Sequence, residues 1–387
     1  MSSAPSAPTA TAAPATNPTT RPRLRATILL GLTIVGFSIC ALALAAYFQA
    51  SLGVMVSLLA VLFAALPLLV VIPTFLWLDR FEAEPTRLLV FAFLWGALVS
   101  AFVAAVLNTG AVLGLQAGTD PESALAVGAV VVAPVVEEAL KGFLILLIWW
   151  LHRREFDGIT DGMVYAGVCA AGFAFTENIQ YLGQAFTEGG GAVLAGTFVV
   201  RGIMSPFAHP MFTVLIGIGV GLAASTHKTW VKVVAPFVGY VLAVLGHGLW
   251  NLAAVAGGTG LLVGYFLVGV PVFFGFVALI LWARNREGRL IARHLSPYAD
   301  AGWLSRGEVG MLASMPRRRE ARMWARMNAG PSGLAAMRAF QDTASELALL
   351  RKRMHHSTAS AQCLEEERHL LGALVAQRRA FLGERVG

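Results

Sequence analysis

Between Ala26 and Ala283 the chain is a near-continuous succession of apolar runs joined by short polar connections. Each run is about 20 residues or longer, the length that crosses a bilayer. Lipid satisfies no backbone polar group, so each run must close its own hydrogen bonds as a helix. Eight spans are expected: Ala26–Tyr47, Val54–Leu78, Leu88–Leu107, Ala124–Leu151, Thr160–Leu182, Phe198–Ala224, Val231–Ala256 and Leu261–Ala283. Composition agrees, with 57% hydrophobic and only 13% charged residues, against about 25% charged in soluble proteins. The expected fold class is all-α, a polytopic membrane protein with about eight transmembrane helices and a helical cytoplasmic C-terminal tail.

The connections alternate in charge. Those at 21–25, 79–87, 152–155, 226–232 and 284–289 carry Lys or Arg, whereas 48–53, 108–123, 183–197 and 257–260 carry none. The positive-inside rule then puts both termini in the cytoplasm. Arginines that flank spans serve orientation, so the net charge of +7 does not point to a nucleic-acid partner. The partners expected are the lipid bilayer and a membrane protein or peptide.

Three regions follow. Residues 1–25 are Pro/Ala/Thr-rich and read as a disordered tail without a cleavable signal. Residues 26–283 form the transmembrane domain. Residues 284–387 form a cytoplasmic helical tail, in which Met337, Phe340, Ala344 and Leu347 make one apolar stripe. Cys40, Cys169 and Cys363 show no metal-ligand spacing, and no structural disulfide is expected.

Four consecutive spans carry polar groups that hydropathy alone does not explain. The fourth holds Glu137, Glu138 and Lys141 in "EEALK"; the fifth holds Glu177 and Asn178 in "FAFTEN". The sixth holds His209 and Thr213 in "HPMFT"; the seventh holds His247 and Asn251 in "HGLWN". A charge at the bilayer centre costs at least about 2.5–3.5 kcal/mol, so such residues mark function by default. Counted from the outer ends of the spans, Glu137, Glu177, His209 and His247 spread over roughly 14 Å of depth. They fall in the central-to-outer half of the bilayer. Lys141 lies i+4 from Glu137 and i+3 from Glu138, placed to compensate either carboxylate. Pro134, Pro206 and Pro210 interrupt helix geometry beside these groups.

Two histidines and a glutamate on neighbouring helices can bind zinc and leave a position for water. A further carboxylate beside that water can act as general base. Metal-free chemistry also suits the set, with Glu137 activating water while His247 and Asn251 stabilise an oxyanion. There is no His-Glu-x-x-His helix, no Gly-x-Ser-x-Gly elbow and no phosphate-binding loop.

These motifs, with "DRFEAEP" at 79–85 and "FDGITDGMVYAG" at 156–167, resemble the PrsW family of intramembrane proteases. That family sits in the wider group of CAAX endopeptidases and bacteriocin-immunity proteins. The resemblance covers roughly residues 70–283 and implies eight helices in a bacterial plasma membrane. It also implies an endopeptidase acting on membrane-associated proteins such as anti-sigma factors. Carried over, it makes Glu137 and Glu138 essential, with His209 and His247 as further site residues. CAAX-type enzymes have a histidine where this chain has Glu177-Asn178, which favours a zinc set of Glu177, His209 and His247. The catalytic set expected is then Glu137, Glu138, Lys141, Asn178 and Asn251. A proton-coupled transporter is the alternative reading of intramembrane Glu, His and Lys. The chain shows no internal duplication of the Glu-Glu or Glu-Asn segments, which counts against it. A non-catalytic scaffold is the third reading.

Overall fold

The computed structural model describes residues 20–81, 83–153, 155–356 and 361–383. The expected disordered tail lies mostly outside them, and the chain is already helical from Thr20. Among the described residues all regular structure is helical.

The membrane domain opens with α1 (Thr20–Leu52). It is followed by α2 (Val54–Ala65) and α3 (Leu68–Leu78), which make one apolar rod. A second rod joins α4 (Thr86–Leu94) through a π-helical turn at Trp95–Ser100 to α5 (Ala101–Gln116). Next come α6 (Pro121–Val127), a π turn at Gly128–Val132 and α7 (Ala133–Leu151). The α6 start is set locally: Pro121 takes the first position, and Asp120 Oδ1 accepts from the Ser123 N–H at 2.9 Å. The long α8 (Ile159–Phe198) is broken at Gly189 and Gly190, the latter at φ +63°. A π turn at Val199–Met204 leads into α9 (Ala208–Ala224), and α10 (Thr229–Val255) returns beside it. Finally α11 (Gly257–Gly264) continues through a π turn at Tyr265–Gly269 into α12 (Val270–Asp300).

By length and apolarity, six helical segments among the described residues can cross a membrane. Eight spans were expected from hydropathy, and two features account for the different number. The segment Ile159–Ala224 runs for 66 residues across the Gly189–Gly190 break. As one straight helix it would measure about 100 Å, roughly three times the hydrocarbon core. The stretch Ala133–Leu151 carries Glu137, Glu138 and Lys141 and is not one of the six.

The first half of α8 is the axis of the domain. Between Ile159 and Leu182 it is buried on nearly every face, packed by α9, α2, α4 and the Trp95–Ser100 turn. Glycines permit that approach. A Cβ on Gly162 would lie 2.0 Å from the Gly217 carbonyl oxygen, and one on Gly172 2.1 Å from that of Phe93. Small residues at such crossings are how membrane helices pack closely. The outer helices instead expose large apolar side chains, including Leu29, Leu42, Met55, Leu69, Phe237 and Leu267. An apolar girdle of this kind is suited to lipid rather than water.

The tail comprises α13 (Arg306–Leu312), α14 (Met315–His356, broken at Ala329–Gly330) and α15 (Ala361–Leu382). Met337, Phe340, Ala344 and Leu347 are all buried in its own apolar core, together with the C-terminal half of α12. Phe81, from the turn after α3, inserts into that core. Lys352 Nζ reaches Asp157 Oδ1 at 2.9 Å, just before α8. The same side is braced by a buried polar chain. Tyr165 O–H donates to Glu84 Oε2 at 2.6 Å, and the Glu84 N–H donates to Asp79 Oδ2 at 2.9 Å. Burial pushes the Asp79 carboxyl up to about 8, against the opposing effect of the Glu84 N–H.

Candidate active site

The polar groups of α7, α8, α9 and α10 meet inside the membrane domain. Glu138 is the most enclosed, with no exposed surface. Its Oε1 accepts from Lys141 Nζ at 2.7 Å and lies 3.1 Å from His247 Nδ1; its Oε2 accepts from Thr213 Oγ1 at 2.8 Å. Lys141 is also wholly buried, so the i,i+3 pair on α7 neutralises itself. The lysine lies over the Phe173 ring at 4.1 Å.

Glu137, one residue earlier, faces a different environment. Its Oε1 accepts from Asn108 Nδ2 on α5 at 3.2 Å. Its Oε2 is buried and accepts no hydrogen bond. That oxygen stands 3.8 Å from Lys141 Nζ and 3.9 Å from His247 Nε2. An unsatisfied buried carboxylate oxygen is costly, and such a group calls for an explanation.

The imidazoles are oriented by carboxylates. His209 Nε2 lies 2.7 Å from Glu177 Oε2, and its Nδ1 lies 3.3 Å from Lys141 Nζ. An ammonium only donates, so these partners assign the proton to His209 Nε2 and the lone pair to Nδ1. His247 is the converse. With Nδ1 against Glu138, its proton belongs there, and Nε2 carries the lone pair toward Glu137. Rings fix both: His209 meets His247 edge-on at 5.0 Å between centroids, and Phe212 stacks on His247 at 5.5 Å.

Glu137, His209 and His247 therefore each offer a donor atom to one point, with those atoms within 4.8 Å of one another. This donor set fits a metal ion. It combines an orphaned carboxylate oxygen with two imidazoles, each of which can give its other N–H to a carboxylate. That arrangement is the usual support for metal-bound histidine.

Glu177, expected among the ligands, is engaged otherwise. Its Oε2 accepts from His209 and, in a short contact, from Arg201 Nη2. Arg201 Nε also donates to Asn178 Oδ1 at 2.7 Å. Asn178 thus touches the site through Arg201. Asn251 donates to the Ala129 carbonyl at 2.8 Å, tying α10 to the π turn before α7, and does not join the cluster. Two contributors escaped the sequence reading, Asn108 and Arg201. Arg201 had a signal: it is a lone cation inside an apolar run, remote from every basic connection. Asn108 had none, since it sits at the edge of an expected span.

A cavity of about 440 Å³ opens beside the cluster, lined by Asn178, Arg201, Ser205, His209 and Trp250 among others. It lies where the Val199–Met204 π turn and the non-helical Ser205 part the chain. Irregular backbone at membrane depth is tolerated where it borders a cavity.

Known proteins share this region. The chain is similar to the protein named Protease PrsW of Geobacillus kaustophilus, at 29% identity over 164 residues, 41% of this chain and 66% of that one. It is 32% identical over 139 residues to that of Clostridioides difficile, 36% of this chain and 55% of that one. It is 32% identical over 117 residues to that of Oceanobacillus iheyensis, 30% of this chain and 49% of that one. The chain thus spans less than two thirds of each of these relatives. No solved structure matches it. The profile described as PrsW family intramembrane metalloprotease matches residues 84–280, an interval that holds every residue of the cluster, and on that match the chain belongs to this family.

Proposed function

We propose that the protein is an intramembrane endopeptidase that hydrolyses peptide bonds of membrane-anchored proteins. The observation that carries this reading is the convergence of Glu137, His209 and His247 on one point, beside a cavity of about 440 Å³. In this reading the three residues hold a zinc ion. Zinc so bound supplies a Lewis acid for the carbonyl and lowers the pKa of its water.

The remaining work belongs to the chain. Glu177 holds the Nε2 proton of His209, and Glu138 holds the Nδ1 proton of His247, so both imidazoles keep the tautomer that ligation requires. Glu138 has its acceptors filled by Lys141, His247 and Thr213, which fits a positioning role rather than proton transfer. The Glu177 side chain retains 21% exposure, more than the other carboxylates of the cluster. It is therefore assigned as the general base. It takes a proton from the attacking water and returns it to the amine nitrogen as the C–N bond breaks. Arg201 and Asn178, on the cavity wall, orient the substrate carbonyl.

The topology proposed is eight crossings with both termini cytoplasmic. The break in Ile159–Ala224 supports two crossings there, and the charge of Ala133–Leu151 is internally compensated. The test is cleavage of a membrane-anchored reporter, together with elemental analysis. Wild type is expected to carry about one zinc per chain, and His209→Ala and His247→Ala to lose both zinc and cleavage. Full cleavage in either variant, with the fold intact, removes the assignment.

A further inference from the structure

A second cavity shares no residue with the catalytic cluster, and no carboxylate lines it among the described residues. It measures about 820 Å³ and opens where α3, α12 and the start of α14 meet. Five arginines line it: Arg80, Arg284, Arg289, Arg319 and Arg322. Among the described residues none of the five forms an ion pair with Asp or Glu, although the chain pairs other arginines, such as Arg378 with Glu308.

Two of the five are fixed in place. Arg284 stacks on the Trp77 ring at 3.6 Å and donates to the Trp77 carbonyl. Arg322 Nε donates to Gln341 Oε1 at 2.6 Å. Arg80, Arg289 and Arg319 are exposed around them. Burial lowers the Arg322 guanidinium from its ordinary value; Asp342 opposes the shift, and Arg338, Arg80 and Arg319 add to it. Five like charges around one concavity repel each other, and a bound anion relieves that repulsion. Arginine in such a cluster matches the geometry of phosphate in particular.

Position says which phosphate. Trp77 and Leu281 belong to apolar membrane segments, and both line the cavity. The arginines begin within a few residues of them. Nearby, the half-exposed Trp282 carries Arg286 at 5.9 Å, a pairing typical of the interfacial belt. The mouth thus lies at the boundary between apolar and polar surface. A molecule with acyl chains in the bilayer and a phosphate in the aqueous layer meets both requirements.

We propose that this pocket binds the phosphate headgroup of an anionic phospholipid, held between the transmembrane domain and the helical tail. The site is independent of the proteolytic reading, since none of its residues touches the cluster.

The experiment uses the full chain in a mild detergent with an equimolar mixture of phosphatidylglycerol and phosphatidylcholine. Lipid retention is read by native mass spectrometry. Wild type is expected to retain phosphatidylglycerol at least about tenfold over phosphatidylcholine. The double variant Arg289→Ala/Arg319→Ala should lose that preference by about tenfold or more. Arg306→Ala, on an exposed arginine elsewhere in the tail, should keep it. Circular dichroism and gel filtration confirm folding, and Arg289→Gln/Arg319→Gln serves as a second, milder pair. Equal retention of the two lipids by wild type, or undiminished preference in both double variants, overturns the proposal. So does displacement of the lipid by millimolar inorganic phosphate or glycerol phosphate, which would assign the pocket to a free anion.

Discussion

Adjacent glutamates on one helix should answer differently to mutation, because their surroundings differ. Glu138 shares no surface with solvent and answers three donors, Lys141, His247 and Thr213. Its replacement by Ala leaves the buried Lys141 ammonium with Glu137 Oε2 at 3.8 Å and a histidine nitrogen at 3.3 Å. Removing one partner of a buried ion pair costs about 3–5 kcal/mol, because an uncompensated charge remains. That is roughly a 10²- to 10⁴-fold fall in the folded-to-unfolded ratio. Glu137→Gln is milder. The amide oxygen can still accept from Asn108, Lys141 keeps Glu138, and Oε2 had no hydrogen bond to lose. Its stability cost should stay within about 1 kcal/mol.

The assay titrates purified protein with SDS in mixed micelles and follows tryptophan fluorescence, with zinc content measured on the same samples. Glu137→Gln should unfold near the wild-type midpoint yet carry little zinc and cleave nothing. Glu138→Ala should unfold much earlier. The reasoning fails if the two variants are destabilised equally, or if Glu137→Gln retains zinc at the wild-type level. Either result would mean that the orphaned oxygen of Glu137 is not the ligand and that the division of labour along α7 is wrong.

Three further outcomes are expected. Glu177→Gln should weaken zinc affinity about 10- to 100-fold in competition with a chelator, since it loosens the proton-holding partner of His209. Arg201→Lys should lower kcat for a membrane peptide while leaving zinc content unchanged, because an ammonium cannot span Glu177 and Asn178 together. Asp79→Asn should stabilise the fold near pH 8 and flatten its pH dependence. The folded carboxyl of Asp79, raised to about 8, binds its proton more tightly than the unfolded one, with its ordinary value of 3.8. Its contribution is therefore complete below about pH 4 and lost as pH rises toward 8. An unfolding midpoint measured from pH 5 to 9 checks this, and a wild-type midpoint that rises over that range contradicts it.

Much of the fold was legible because lipid leaves the chain few options. Apolar length alone names the helices, and the 3-4-3 stripe of Met337, Phe340, Ala344 and Leu347 named a buried face in the tail. The four π turns were not legible. No local residue pattern announces them. The resemblance favoured Glu177 as the carboxylate beside the two histidines, whereas the donor atoms that lie within 4.8 Å of one another belong to Glu137, His209 and His247. Glu137, Glu138 and Glu177 are chemically identical, and only their partners distinguish them. Asn108 on α5 engages one oxygen of Glu137, and Arg201 after α8 pairs with Glu177.

Depth counted from the expected span ends gives only a coarse vertical position. It put Glu177 near the outer end of its span, separated from Glu137 by roughly 14 Å along the normal. In the structure His209 contacts Glu177 and Lys141 at once, so both helices reach one cluster. Polar residues after Leu182 lower the hydropathy, but α8 continues helically to the Gly189–Gly190 break. Glu177 therefore sits about three turns inside that break rather than at a boundary. The helix extends because its neighbours, not its composition, carry it: Leu52 packs on Gly183, and Leu182 and Ala185 are buried. Depth within a membrane protein is set by where the helix turns, and a turn is written in backbone geometry that only glycine can adopt freely, here Gly190 at φ +63°.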